Sequence, residues 1–195
     1  MSDETASTAS TILIVRLACV SVILAAISPL TAETARLECT ADAWVALASH
    51  GSAKLNGLGR DLTLNGYKRV LLLKFRTTNI AGWKLQDACL MLHLRSGKPP
   101  FRLDVGIQFE SWTESETMLH FATPKRLLSF SATALPEGWF EVKFAPQFAE
   151  SLAAGRGFGL VVAERGASLE RVFDSRETVR FAPYLVVDGI QIGMR

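Results

Sequence analysis

An apolar period of two constrains this chain more than any other feature of its sequence. From Arg102 to Phe109 the alternation is unbroken, with Leu103, Val105, Ile107 and Phe109 on one side against Arg102, Asp104, Gly106 and Gln108 on the other. Successive side chains of a strand point to opposite faces, so this run predicts a half-buried strand rather than a helix. Ala88, Leu90, Leu92 and Leu94 form a similar inward row against Cys89, Met91, His93 and Arg95, and Phe140, Val142 and Phe144 alternate with Glu141 and Lys143. Val70 to Phe75 and Phe158 to Ala163 are near-continuous apolar runs, as expected of central strands. Shorter candidates are Ala43 to Leu47, Asp61 to Leu64, Leu127 to Phe130, Arg171 to Phe173 and Tyr184 to Val187. Turn chemistry separates the runs at Asn65-Gly66, Gly97 to Pro100, Pro136 to Gly138 and Arg165-Gly166. Only Pro146 to Ala154 reads as helix, with proline at its start and Gly155 as a stop. Many short strands and one short helix predict an all-β fold, an antiparallel β-sandwich of the jelly-roll kind.

The N-terminus reads differently. Leu17 to Ile27 is almost purely apolar and is followed by Ser28, Pro29 and the small Ala32, the pattern of a secretory signal peptide. Residues 1–32 are therefore the expected leader, and residues 33–195 one domain, secreted or held at the cell surface or in the periplasm. The apolar run is shorter than the about 20 residues of a membrane span; reading on from Thr11 to Leu30 gives an uncleaved anchor as the alternative. Asp3 and Glu4 are out of place in a leader, which favours initiation at Val15. Without residues 1–32 the chain keeps 20 basic and 17 acidic residues, too balanced for a nucleic-acid partner. No membrane association beyond the leader is expected. Cys39 and Cys89 remain, as a disulfide closing a long loop or as two unpaired thiols.

No catalytic constellation stands out. His50, His93 and His120 lack ligand spacing. Gly155 to Gly159 follows a helix and opens a strand, the reverse of a phosphate-binding loop. Glu110, Glu114 and Glu116 cluster around Trp112, and Asp174 and Glu177 flank Ser175-Arg176. A glycosidase needs two such carboxylates, but loop acids are usually solvated or paired with arginine, and the chain is not expected to be an enzyme. No cofactor is expected. A structural calcium ion would suit a sandwich, although Asp42, Asp61, Asp87 and Asp104 show no repeat spacing. Exposed aromatic residues are the better lead, because flat sugar faces stack on them. Trp83 beside Lys84, with Arg95 and Lys98 further along, and Trp139 on the outward row of its strand are the expected ligand-binding residues.

Several segments in order carry a family likeness. These are Thr40 to Val45, Arg69 to Phe75, Leu85 to Leu90, Trp112-Thr113-Glu114, Trp139 to Phe144, Gly157 to Leu160, Phe173 to Glu177 and Pro183 to Val187. Together they resemble the DNRLRE-domain family, related to carbohydrate-binding module family 96, over about residues 38–188. Phe75 is followed here by Arg76-Thr77-Thr78 where the family continues Phe-Asp-Leu-Ser, and the string that names the family is absent. The resemblance implies a secreted β-sandwich, often appended to polysaccharide-acting enzymes, some members binding acidic polysaccharides such as alginate. It also implies that Trp112, Glu114, Arg176 and Glu177 stabilise the fold through a buried arginine paired with carboxylates. The expectation is a non-catalytic module with a polysaccharide as its partner. The alternatives are a structural or adhesive cell-surface domain, assembling with surface partners through sheet edges or apolar patches, and a polysaccharide-degrading enzyme.

Overall fold

The computed structural model describes residues 31–47, 52–66, 68–100, 102–116, 118–120, 127–164 and 169–192. Residues 1–30 of the expected leader, with the Val15 start, lie outside the described residues, as do His50, Tyr67, the Arg165-Gly166 turn and the side chain of His120, whereas Ala32, the last residue of that leader, pairs with Ile190. Twelve strands are described: β1 (Ala32–Leu47), β2 (Ser52–Asn56), β3 (Asp61–Leu64), β4 (Arg69–Phe75), β5 (Trp83–Ser96), β6 (Arg102–Ile107), β7 (Met118–His120), β8 (Leu128–Ala134), β9 (Trp139–Phe144), β10 (Leu160–Ala163), β11 (Arg171–Asp174) and β12 (Tyr184–Gln191). One α-helix, α1 (Gln147–Ala153), follows β9.

The all-β class holds, but the expected sandwich does not. Eight antiparallel strands close on themselves in the order β1–β12–β5–β9–β8–β6–β10–β4 and back to β1. The result is a closed β-barrel rather than two facing sheets of a jelly roll. Alternation specifies which side chains point inward, and that is common to sandwich and barrel. Closure depends instead on the sixteen residues of β1, which pair with β12 along the first half and with β4 along the second. A bulge at Thr40 separates the halves. Bulges bend a strand and re-aim its side chains, and here Cys39 packs on one apolar cluster while Ala41, Ala43 and Val45 join another.

Eight strands enclose an interior just wide enough for side chains. Leu71, Leu73, Leu90, Leu92, Leu103, Val105, Leu160 and Leu185 fill it, capped by Leu62, Leu64 and Phe173 from the β3–β11 pair beside the ring. A second cluster lies outside the wall, where Trp112 and Leu55 cover Ala43, Val45, Val70, Leu72, Val161 and Ala163. This cover explains why β4 and β10 are apolar on both faces. The expected half-buried strand is also covered on both sides, since Asp104 is as buried as its apolar neighbours. It ends at Ile107, however, leaving Phe109 69% exposed rather than on the inward row. Gly159 shows why the loop before β10 is rich in glycine: its φ is +142°, and a Cβ there would lie 2.5 Å from the Leu73 carbonyl oxygen.

Candidate functional site

The outer face of β12, β5 and β9 carries a continuous strip of rings. His93 of β5 and Trp139 of β9 are direct cross-strand partners, with ring centroids 5.3 Å apart in an edge-on arrangement. Tyr184, at the start of β12, meets Trp139 edge-on at 5.3 Å. The segment between β11 and β12 folds over this face, so that Phe181 stacks on His93 at 4.0 Å and lies 6.3 Å from Trp139. Hydrogen bonds fix the imidazole: Nε2 donates to the Glu137 carbonyl at 2.8 Å, and Nδ1 faces the Asp174 carboxylate at 2.7 Å.

Two guanidinium groups complete the strip. Arg36 lies 3.8 Å over the Tyr184 ring and Arg180 5.1 Å over the Phe181 ring. Neither has a carboxylate partner among the described residues. A guanidinium over a ring gains cation–π attraction and can still present N–H donors to solvent. The strip therefore sets aromatic rings beside guanidiniums that lack a carboxylate partner among the described residues. A shallow cleft of about 210 Å³ adjoins it, lined by Arg36, Arg176, Val179, Pro183 and Tyr184 among others.

Behind the cleft the two expected structural motifs meet. Arg176 donates from Nε and Nη2 to the two oxygens of Glu114, at 2.7 and 2.6 Å, a bidentate pair spanning 62 residues of sequence. Its Nη2 also lies 3.1 Å from Glu177. Burial pushes the Glu114 carboxyl up, but the bonds from Arg176 and from the Asp42 N–H outweigh it and leave Glu114 below the usual range. Trp112, two residues earlier, is fully buried; its Nε1 donates to the Phe158 carbonyl, and Lys74 sits over its ring. Replacing Arg176 by alanine is expected to lower stability by about 2 kcal/mol, less than a fully buried pair would lose, because 34% of the side chain is exposed. Thermal melts of Arg176→Ala check this, and a variant that melts like its parent would contradict it.

The expected ligand-binding residues are not brought together. Trp83 and Lys84 open β5, whereas Arg95 and Lys98 lie at and beyond its other end, roughly 40 Å away at the rise of an extended strand. Trp83 packs against the interior cluster, Arg95 pairs with Asp61, and the Lys98 carbonyl accepts from Arg171. Only Trp139 belongs to the strip. Cys39 and Cys89 are free thiols; β12 runs between their strands, about 10 Å of separation where a disulfide needs its Cα atoms within about 7 Å. Burial raises both thiols, Cys89 to about 12. Asp42, Asp61, Asp87 and Asp104 lie on four different strands, and no group of three or more metal-ligating side chains converges among the described residues.

Sequence reasoning missed Arg36, Arg180 and Phe181. The outward parity of Tyr184 and Trp139 was a usable signal, but the strip draws on β1, β5, β9, β12 and a turn, and no local spacing announces that assembly. Compared with protein-family models and with curated protein sequences, the chain finds no match in either.

Proposed function

We propose that this domain is a non-catalytic binding module of an exported or surface-held protein, and that it holds an acidic polysaccharide along the strip from Arg36 to Arg180. The observation that carries this is the pair of guanidiniums lying on Tyr184 and Phe181 without a carboxylate partner among the described residues. A uronate presents a flat C–H face and a carboxylate. The first suits the Trp139 ring, and the second accepts two parallel N–H bonds from an arginine. The apolar run Leu17 to Ile27, read as a leader, supports export, and the DNRLRE-like segments support the ligand class, although the chain closes into a barrel rather than the sandwich that the resemblance implies.

Affinity electrophoresis in alginate, pectate and a neutral glucan tests it. Both polyuronates should retard the protein, the neutral glucan should not, and retardation should weaken with salt because exposed charges are screened. Arg36→Ala and Arg180→Ala should each weaken alginate binding about tenfold, the scale of one charge-assisted hydrogen bond. Equal retardation by the neutral glucan, or indifference to both arginines, would contradict the proposal.

A further inference from the structure

Asp42 sits where three distant segments meet. It follows the β1 bulge and is completely buried. Its Oδ2 accepts from the Arg176 backbone N–H at 2.6 Å, and its own N–H donates to Glu114 Oε1 at 2.7 Å. Its Oδ1 has no hydrogen-bond partner among the described residues. The charged groups facing it are Glu114 from the loop after β6 and Arg176 and Glu177 from the turn after β11, with the Cys39 thiol on β1 itself. A lone buried carboxylate oxygen beside a second carboxylate favours a neutral acid, because removing a proton would leave charge unsolvated.

The turn that Asp42 holds is strained at its end. Arg176–Thr178 forms one 3₁₀ turn, and the next residue, Val179, has φ +50° and is 83% exposed. A β-branched residue in that region is strained and persists only where its surroundings impose it. Arg180 and Phe181, two of the six side chains of the strip, follow directly. We infer that Asp42 is a proton-operated latch on the 176–181 turn: neutral, it stays buried beneath the seated turn, which keeps Arg180 and Phe181 in the strip; ionised, it leaves Oδ1 charged and unsolvated beside Glu114, and the turn loosens to let water reach it, at the cost of the Arg176 N–H bond. As regulation of the strip, this rests on the glycan-binding proposal.

Burial lifts the Asp42 carboxyl to about 7, the Arg176 N–H opposing and Glu114 reinforcing the shift. A carboxyl raised above its unfolded value stabilises the seated turn at low pH, and that stabilisation is lost as pH rises through about 7. The switch therefore falls in the neutral range, where a polyuronate stays fully charged.

The test is amide exchange of Arg176 to Val179 in the full chain, corrected for intrinsic rates, at about pH 5.5 and about pH 8, beside alginate titrations under the same conditions. Protection at Arg176 and alginate affinity should both fall at least about fivefold at the higher pH, the lower end of usual coupling between sites. Asp42→Asn keeps an oxygen for the Arg176 N–H but carries no charge, so both quantities should become insensitive to pH. A parent whose Arg176 protection is the same at both pH values overturns the latch. So does an Asp42→Asn variant that keeps the parent's pH response. Protection that falls while affinity stays constant overturns the coupling to the strip. Should Asp42→Asn fail to fold, the parent's exchange series decides alone. If alginate fails to bind at either pH while protection still falls, the glycan proposal is defeated and the latch upheld.

Discussion

Trp112→Ala should destabilise the protein by about 3–5 kcal/mol, the range for truncating a buried aromatic. Trp112 is completely buried as the cover over the outer faces of β1, β4 and β10. Its removal opens a cavity against Ala43, Val45, Leu72 and Val161, which are held in the barrel wall and are poorly placed to collapse into it. The Phe158 carbonyl would also lose its indole donor, adding about 1 kcal/mol. A domain whose whole stability is about 5–15 kcal/mol has little reserve for such a change. In equilibrium urea unfolding the midpoint should drop by about 2 M, and Trp112→Phe, which keeps most of the volume, should lose less than half as much. A Trp112→Ala midpoint within experimental error of the parent would mean that the second cluster is not the wall's cover.

Arg171→Ala should be of similar size for an electrostatic reason. Arg171 and Glu164 pair with side chains only 7% and 8% exposed, and Arg171 Nε donates to the Lys98 carbonyl at 2.7 Å. Truncating one partner strands the other charge in the interior, about 3–5 kcal/mol at neutral pH. Burial already raises the Glu164 carboxyl, with Arg171 opposing. Without the guanidinium, Glu164 will rise further and be neutral at low pH, so the variant's deficit should be smallest in acid and grow as pH rises. The double replacement Arg171→Met with Glu164→Leu should recover most of the loss, since replacing both charges removes the desolvation penalty. Urea unfolding at acidic and neutral pH reads all three quantities. A single variant as stable as the parent at neutral pH would contradict the buried pairing.

The wall of this barrel was largely legible in the sequence, and its closure was not. Leu103, Val105 and Ile107, the Ala88–Leu90–Leu92 row and the Phe140–Val142–Phe144 row all point inward, because a strand's period fixes which residues share a face. The first half of β1 went unread although Ala35, Leu37 and Cys39 alternate with Thr34, Arg36 and Glu38, because its small residues make the pattern faint. Yet its pairing with β12 is what turns a sheet into a barrel, and pairing between residues about 150 positions apart leaves no local trace. β2 and β7 went unread for the same reason, being short and lacking strong alternation.

The candidate site divides along similar lines. Trp139 was recognisable from parity, whereas Trp83, its neighbour in the expected site, turns toward the core. Lys84 and Arg95 are close in sequence but separated by the length of β5, since an extended strand carries each residue about 3.3 Å further. Arg176 was more legible: of the acids flanking it, Asp174 engages His93 and Glu177 lies 3.1 Å from Nη2, while the bidentate partner is the remote Glu114 of the other expected motif.

Whether the strip is a glycan-binding face can be measured residue by residue. Two-dimensional amide and side-chain NMR of the protein, titrated with short alginate oligomers, reports where the ligand sits. Glycan binding at the strip requires that the perturbed signals cluster on Arg36, His93, the Trp139 indole, Arg180, Phe181 and Tyr184, and that they weaken with added salt. Perturbation confined to the Trp83–Lys84 end of β5, or none at any oligomer concentration, would contradict it.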